Sequence, residues 1–162
     1  MVEFALVAPM LFIVLLGIIE AGRFVLNMEA LNNATREGAR YAIVHGALSA
    51  DPQGPMPLGG SNPGGALAVA GEDIKAAVRK AAISISGSGA LTVPTPRWTL
   101  EGSQVLPKSP TDTSSTDGNN SRGNYITVFA DYSYEPIIKM VLGTDLIPSI
   151  TLSAESTLVI NT

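Results

Sequence analysis

Apolar and polar positions divide this chain into three regimes. From Phe4 to Ile19, sixteen consecutive residues carry no charge and no hydrogen-bonding side chain, with Glu3 before the run and Glu20 directly after it. As a helix the run extends about 24 Å at 1.5 Å per residue, somewhat short of the ~30 Å hydrocarbon core of a bilayer, and Ala21 and Gly22 close most of that gap. Eleven of the sixteen are Leu, Ile, Val or Phe, a content that favours bilayer residence by on the order of 3–6 kcal/mol. A secretory signal would show a basic segment ahead of the apolar run and a small-residue cleavage site behind it. Neither stands in the expected place, so the pattern predicts a retained stem with a leading segment already removed.

Beyond the stem the spacing remains helical but becomes one-sided. Phe24, Met28, Leu31, Thr35, Gly38 and Ala42 step by three and four and share a face. Ala34, Gly38 and Ala42 keep that part of the helix slim enough for close approach of a sheet. Arg23, Glu29, Asn33, Arg36 and Arg40 lie largely off this face, and the i,i+3 pairs Glu20–Arg23 and Glu37–Arg40 are each worth about a few tenths of a kcal/mol. Pro9 removes an intrahelical donor and crowds the carbonyl of Ala5, while Gly17 and Gly22 weaken the helix further. A kink or a locally melted stretch is therefore expected near Pro9.

The third regime is a mixture of turn-rich and alternating segments. Residues 47–70 are punctuated by Gly and Pro, which predicts a long loop with neither helix nor strand. Acids at Glu72 and Asp73, bases at Lys75, Arg79 and Lys80, and apolar Ile74, Ala77, Val78 and Ala81 at helical spacing predict a second helix over 72–84. Short strands are expected at 90–93 and 97–100, confined by Pro94 and Pro96 to an edge or a bend. Residues 102–122 read as a polar surface loop. Residues 125–134 alternate as a strong strand, 136–146 as a helical turn, and 150–160 as a C-terminal strand. The fold class that follows is α+β: a long N-terminal helix, apolar then amphipathic, packed on a small, mainly antiparallel sheet head. Its division is a helical stem at 1–46, of which 1–22 is the apolar assembly or membrane part, a loop at 47–70, and a head at 71–162 that carries the 102–122 loop.

Charge and chemistry narrow the function. The net charge is −4 and the ten basic residues are scattered, which argues against a nucleic-acid partner, since such surfaces cluster their cations. Without cysteine there is no disulfide framework and no thiolate nucleophile. His45 is the only histidine and reads as a surface residue at a helix end. Asp112, Asp117 and Asn119 miss the calcium-loop spacing and lack its bidentate Glu. Asn33 and Asn119 head N-x-Ser/Thr sequons and are weak candidates for glycosylation. Tyr132 and Tyr134 share one side of a strand, which points to packing or hydrogen bonding. No catalytic residue, cofactor or metal site is assigned, and the chain is not expected to be an enzyme.

Glu3 carries the remaining signal. A carboxylate heading an apolar helix needs a cation if like helices bundle around it, and an α-amino group, its own or a neighbour's, is the nearest available. A simple anchor would let it snorkel to the headgroups.

Three strings now coincide: Met-Val-Glu-Phe-Ala-Leu-Val-Ala-Pro at 1–9, Glu-Ala-Gly-Arg at 20–23 with Asn-Asn-Ala-Thr-Arg-Glu-Gly-Ala-Arg-Tyr-Ala at 32–42, and Tyr-Ser-Tyr with Ile-Thr-Leu-Ser-Ala-Glu-Ser toward the C-terminus. Together they resemble the TadE-like proteins of tight-adherence, Flp-type pili, which are themselves similar to type IV pilins. The resemblance is dense over 1–46, returns at 123–160 and fades between. It implies a subunit processed by a prepilin peptidase, held in the cytoplasmic membrane before assembly, and exported by the Tad machinery into an extracellular filament of identical or related pilins used for adhesion. It implies assembly roles for Met1, Glu3, Phe4 and Pro9, with Glu3 matching the glutamate that meets an N-terminal amine and Phe4 the adjoining aromatic. In type IV pilins that glutamate usually stands fifth, whereas here it is third. A minor tip or priming pilin, a pseudopilin, and a membrane-anchored binding module are the alternatives.

Overall fold

The computed structural model describes residues 2–57, 62–85, 89–102, 118–142 and 148–161. Helix α1 runs from Val2 to Val44. It is followed by α2 (Gly65–Val69), α3 (Glu72–Ala81) with a 3-10 turn at Ala82–Ser84, β1 (Leu91–Thr92), β2 (Arg97–Thr99), β3 (Tyr125–Tyr134), α4 (Ile137–Leu142) and β4 (Ile150–Val159). The α+β architecture expected from the sequence is the one the chain adopts. Among the positions named above, Met1, Asp112, Asp117, most of the 102–122 loop and the 143–146 end of the expected helical turn lie outside the described residues.

Strand β3 organises the sheet. It pairs along its whole length with β4, antiparallel, from Tyr125 opposite Val159 to Tyr134 opposite Ile150. Its other edge is shared by β1, at Tyr132 and Asp131, and by β2, at Thr127 to Tyr125. Pro94 and Pro96, which cannot donate to a ladder, fall in the gap between these two short strands. The alternation of β3 explains its facing: Ile126, Val128, Ala130, Tyr132 and Tyr134 are all buried, and their β4 partners Leu152 and Ala154 are buried beside them. On the opposite face the Thr127 and Thr157 hydroxyls meet at 2.8 Å.

The C-terminal half of α1 lies on this sheet, with Leu31, Ala34, Thr35, Ala39 and Ala42 buried. Gly38 sits at the three-way contact of α1, α3 and β3. A Cβ there would come within 2.3 Å of Val78 Cγ2 and 3.3 Å of Val128 Cγ1, so the absence of a side chain sets the packing distance. α3 begins with Glu72 and Asp73, favourable at the positive end of the helix dipole, and ends with Arg79 and Lys80. Lys75 Nζ donates to Glu72 Oε1 at 2.7 Å, and that bond holds the Glu72 carboxyl below its ordinary value.

Two expectations need correction. Of the kink or melted stretch expected near Pro9, the melted stretch does not form: α1 is helical from Val2 to Val44 with Pro9 inside it, since a proline removes only one backbone donor. The 47–70 segment contains a five-residue helix, α2. An Asx turn starts it: Asn62 Oδ1 accepts from the Gly64 N–H at 3.0 Å, while Asn62 Nδ2 donates to the carbonyls of Pro52 and Gly54, each at 3.0 Å. Gly54, at φ 97°, lets the backbone lie against Trp98, which a Cβ would meet at 2.4 Å.

Candidate functional site

The stem protrudes from the head. Leu6 is 79% exposed, Phe4 77% and Leu15 45%, and the large apolar residues between them, Val7, Met10, Leu11, Phe12, Ile13 and Val14, are exposed as well. Ile18 and Ile19 extend the surface to the neck. The helix has the length and composition to cross a membrane, and no residue of the apolar window within it is buried in the monomer. A greasy surface of this extent is not left in water by a soluble monomer; it marks a contact with lipid or with other protein. Glu3 and Phe4 are exposed at its tip, and Glu3 forms no ion pair with another described residue. Pro9 lies exposed a turn and a half further along. Helix α1 thus brings Glu3, Phe4 and Pro9 onto one surface element.

Where the stem meets the head, the chain builds a polar clamp. The Tyr134 hydroxyl, at the end of β3, donates to the Glu20 carboxylate. The Ile137 N–H at the start of α4 donates to the same Glu20 Oε1 at 3.1 Å, and Arg23 Nη1 reaches Glu20 Oε2 at 3.4 Å. Phe24 stands edge-on to the Tyr134 ring, with centroids 5.8 Å apart, and the Arg23 guanidinium lies 5.8 Å from that ring's centre. Burial first, and then the bond to Glu20, push the Tyr134 phenol up to about 12, so it remains a donor throughout the physiological range. The Glu20–Arg23 pair was legible as an i,i+3 spacing. Its capture by Tyr134 was not, because the two residues stand 114 positions apart.

A second unforeseen device closes the far end of α1. The Ala47 N–H donates to the Asn120 carbonyl at 2.9 Å, the Asn120 N–H to Pro55 at 2.8 Å, and Asn120 Nδ2 to the Gln53 carbonyl at 3.1 Å. Gln53 Nε2 then reaches Asp73 Oδ2 at 3.0 Å. Buried Gln53 and Asn120 therefore bind the segment after α1 to the approach to β3 and to α3.

The other sequence candidates are scattered. His45 stacks on Tyr41, with centroids 4.0 Å apart, and its Nδ1 lies 2.8 Å from the Tyr41 carbonyl. Tyr41 itself borders an open groove of about 570 Å³ between α1 and α3, with Glu37, Asp73 and Lys80 around it. Burial, then the charges of Asp73 and Asp51, raise the Tyr41 phenol above its ordinary value. Asn33 is exposed on α1, whereas the Asn119 Oδ1 is occupied by the Ser121 N–H at 3.0 Å and Asn124 Nδ2 at 2.9 Å. Tyr132 and Tyr134 are both buried in the core.

A protruding apolar helix joined by a polar neck to an α+β head is a pilin-like architecture. The family model described as TadE-like protein matches residues 1–40, which covers the stem, the α1 side of the neck and most of the head-facing half of α1. The N-terminal region is thus similar to TadE-like proteins, a likeness that supports an association with the Tad pilus system, and its helix is long and apolar enough to cross a membrane. No curated protein and no solved structure matches the chain.

Proposed function

We propose that this chain is a structural pilin subunit: its stem leaves the bilayer to bundle with the stems of other copies, and its head coats the outside of an extracellular Tad-like filament used for adhesion. The observation that carries this is the contrast between a stem exposed along its length and a neck whose hydrogen bonds tie the head to it. A tether for a binding module gains from flexibility below the head, whereas a filament needs every head held at one angle to the core. Glu3 at the stem tip, opposite an α-amino group of a neighbouring copy, would set the axial position more than it would add stability. In this reading the role is structural, the partners are further copies or related pilins, and a prepilin peptidase and the Tad export machinery act before assembly.

The test is electron microscopy of cells expressing the native chain and Glu3→Ala, with the chain immunolabelled. The reading expects label along filament shafts in the native strain and at least a tenfold loss of filaments in the variant, with the protein still in the membrane. Native protein that stays dispersed in the membrane overturns it, and label confined to tips reassigns the chain as a minor subunit.

A further inference from the structure

Resting on the polymerisation reading, we propose that the exposed face of the head-bearing half of α1 continues the subunit interface, and that Glu29 of one copy pairs with Arg36 of a neighbour shifted by seven residues. Apolar exposure does not stop at the neck: Val25 is 61% and Leu26 65% exposed, on the side of α1 away from the sheet. The same stripe, stepping by three and four, runs through Gly22, Val25, Glu29, Asn33, Arg36 and Arg40, all exposed. It is thus continuous with the stem surface at Ile18 and Ile19, which are exposed as well.

The occupant is a second copy of this chain because the charge order along the stripe is self-complementary, and between parallel copies, as stems bundled side by side require, it is so only under displacement. An acid lies nearer the stem and bases lie further along. Parallel copies in register would set Glu29 against Glu29 and Arg36 against Arg36, which repel. A shift of seven residues, about 10.5 Å at 1.5 Å per residue, brings Arg36 level with the neighbour's Glu29. The same shift lays Val25 and Leu26 beside the neighbour's Ile18 and Ile19, apolar on apolar. Arg40 is already engaged by Glu37 at 3.9 Å, while no salt bridge joins Glu29 or Arg36 to another described residue. The arrangement therefore selects a staggered filament over a flush ring.

The chain has no cysteine of its own, so the register can be read by cross-linking native filaments. Glu29→Cys combined with Arg36→Cys is expected to give an oxidant-dependent ladder of covalent multimers, and Glu29→Cys with Arg40→Cys little or none. In parallel, Glu29→Arg and Arg36→Glu should each lower filament yield at least tenfold, and the charge-swapped double variant should recover more than half of it. That recovery also shows that the single variants failed in pairing rather than in folding. A ladder from the Arg40 combination alone, native-level filaments from both single variants, or no recovery in the swap overturns this register while leaving polymerisation standing. Absence of filaments from the native chain overturns the polymerisation reading itself.

Discussion

The two halves of α1 share one continuous helical geometry and are held in opposite ways. In the head half, Leu31, Ala34, Thr35, Ala39 and Ala42 are buried against sheet and α3, and Gly38 sets the approach distance. In the stem half, large apolar side chains from Phe4 and Leu6 to Ile18 and Ile19 are exposed, and neither Gly17 nor Gly22 has an atom within 4 Å of where a Cβ would stand. The same residue type is thus a packing requirement in one half and free of intramolecular constraint in the other. Whatever order the stem needs must come from lipid or from neighbouring copies.

Substitutions can separate the halves, and the largest effect belongs to the stem. Leu15→Arg costs about 3 kcal/mol of membrane residence near the middle of the apolar run, so it should lower the equilibrium constant for membrane residence by about two orders of magnitude and sharply reduce filaments. Thermal unfolding of the head, followed in detergent, should be unchanged. Gly38→Val does the reverse. It drives a branched side chain into Val78 and should destabilise the head by about 1–3 kcal/mol in denaturant unfolding, with membrane insertion intact.

The neck, where the halves meet, gives an effect of similar size to Gly38→Val that is also pH-dependent. Tyr134→Phe removes a hydrogen bond to a charged group and should cost about 1.5–3 kcal/mol. The Tyr134 phenol is raised from 10.0 to about 12 in the folded chain. Its contribution is therefore complete below the unfolded value and is lost as pH rises from about 10 through 12. Melting temperatures between pH 9 and 12 should fall more steeply for the native chain than for Tyr134→Phe. Smallest of all, Gly17→Ala should leave head stability within about 0.5 kcal/mol of native, since the added methyl enters open space within the monomer. An equal response to Gly17→Ala and Gly38→Ala would erase the comparison.

The difference between the halves was partly legible in the sequence, because hydrophobic spacing reports which positions face a partner. The alternation at 125–134 and the three-four spacing from Phe24 to Ala42 carry that signal, and β3 and the packed face of α1 follow it. Polar residues that work inside the protein leave no such trace. Gln53 and Asn120 are each 1% exposed, yet nothing in their local spacing distinguishes them from loop or surface polar residues. Helix α2 escaped for a related reason: its start depends on Asn62 bonding across to Pro52 and Gly54, while the surrounding Gly and Pro read locally as unstructured. Glu20 shows the limit most plainly. Its sequence neighbours suggested only a surface pair with Arg23, whereas the fold delivers Tyr134 and Ile137 to the same carboxylate.

The central claim is that the exposed stem is an assembly surface rather than a tether, and cryo-electron microscopy of filaments sheared from cells expressing the native chain tests it most directly. The account predicts a core of parallel α1 stems in mutual contact, with heads outside and Glu3 within hydrogen-bond distance of an amine on an adjacent copy. Filaments that lack this chain, with its stem found surrounded by lipid alone, would contradict it.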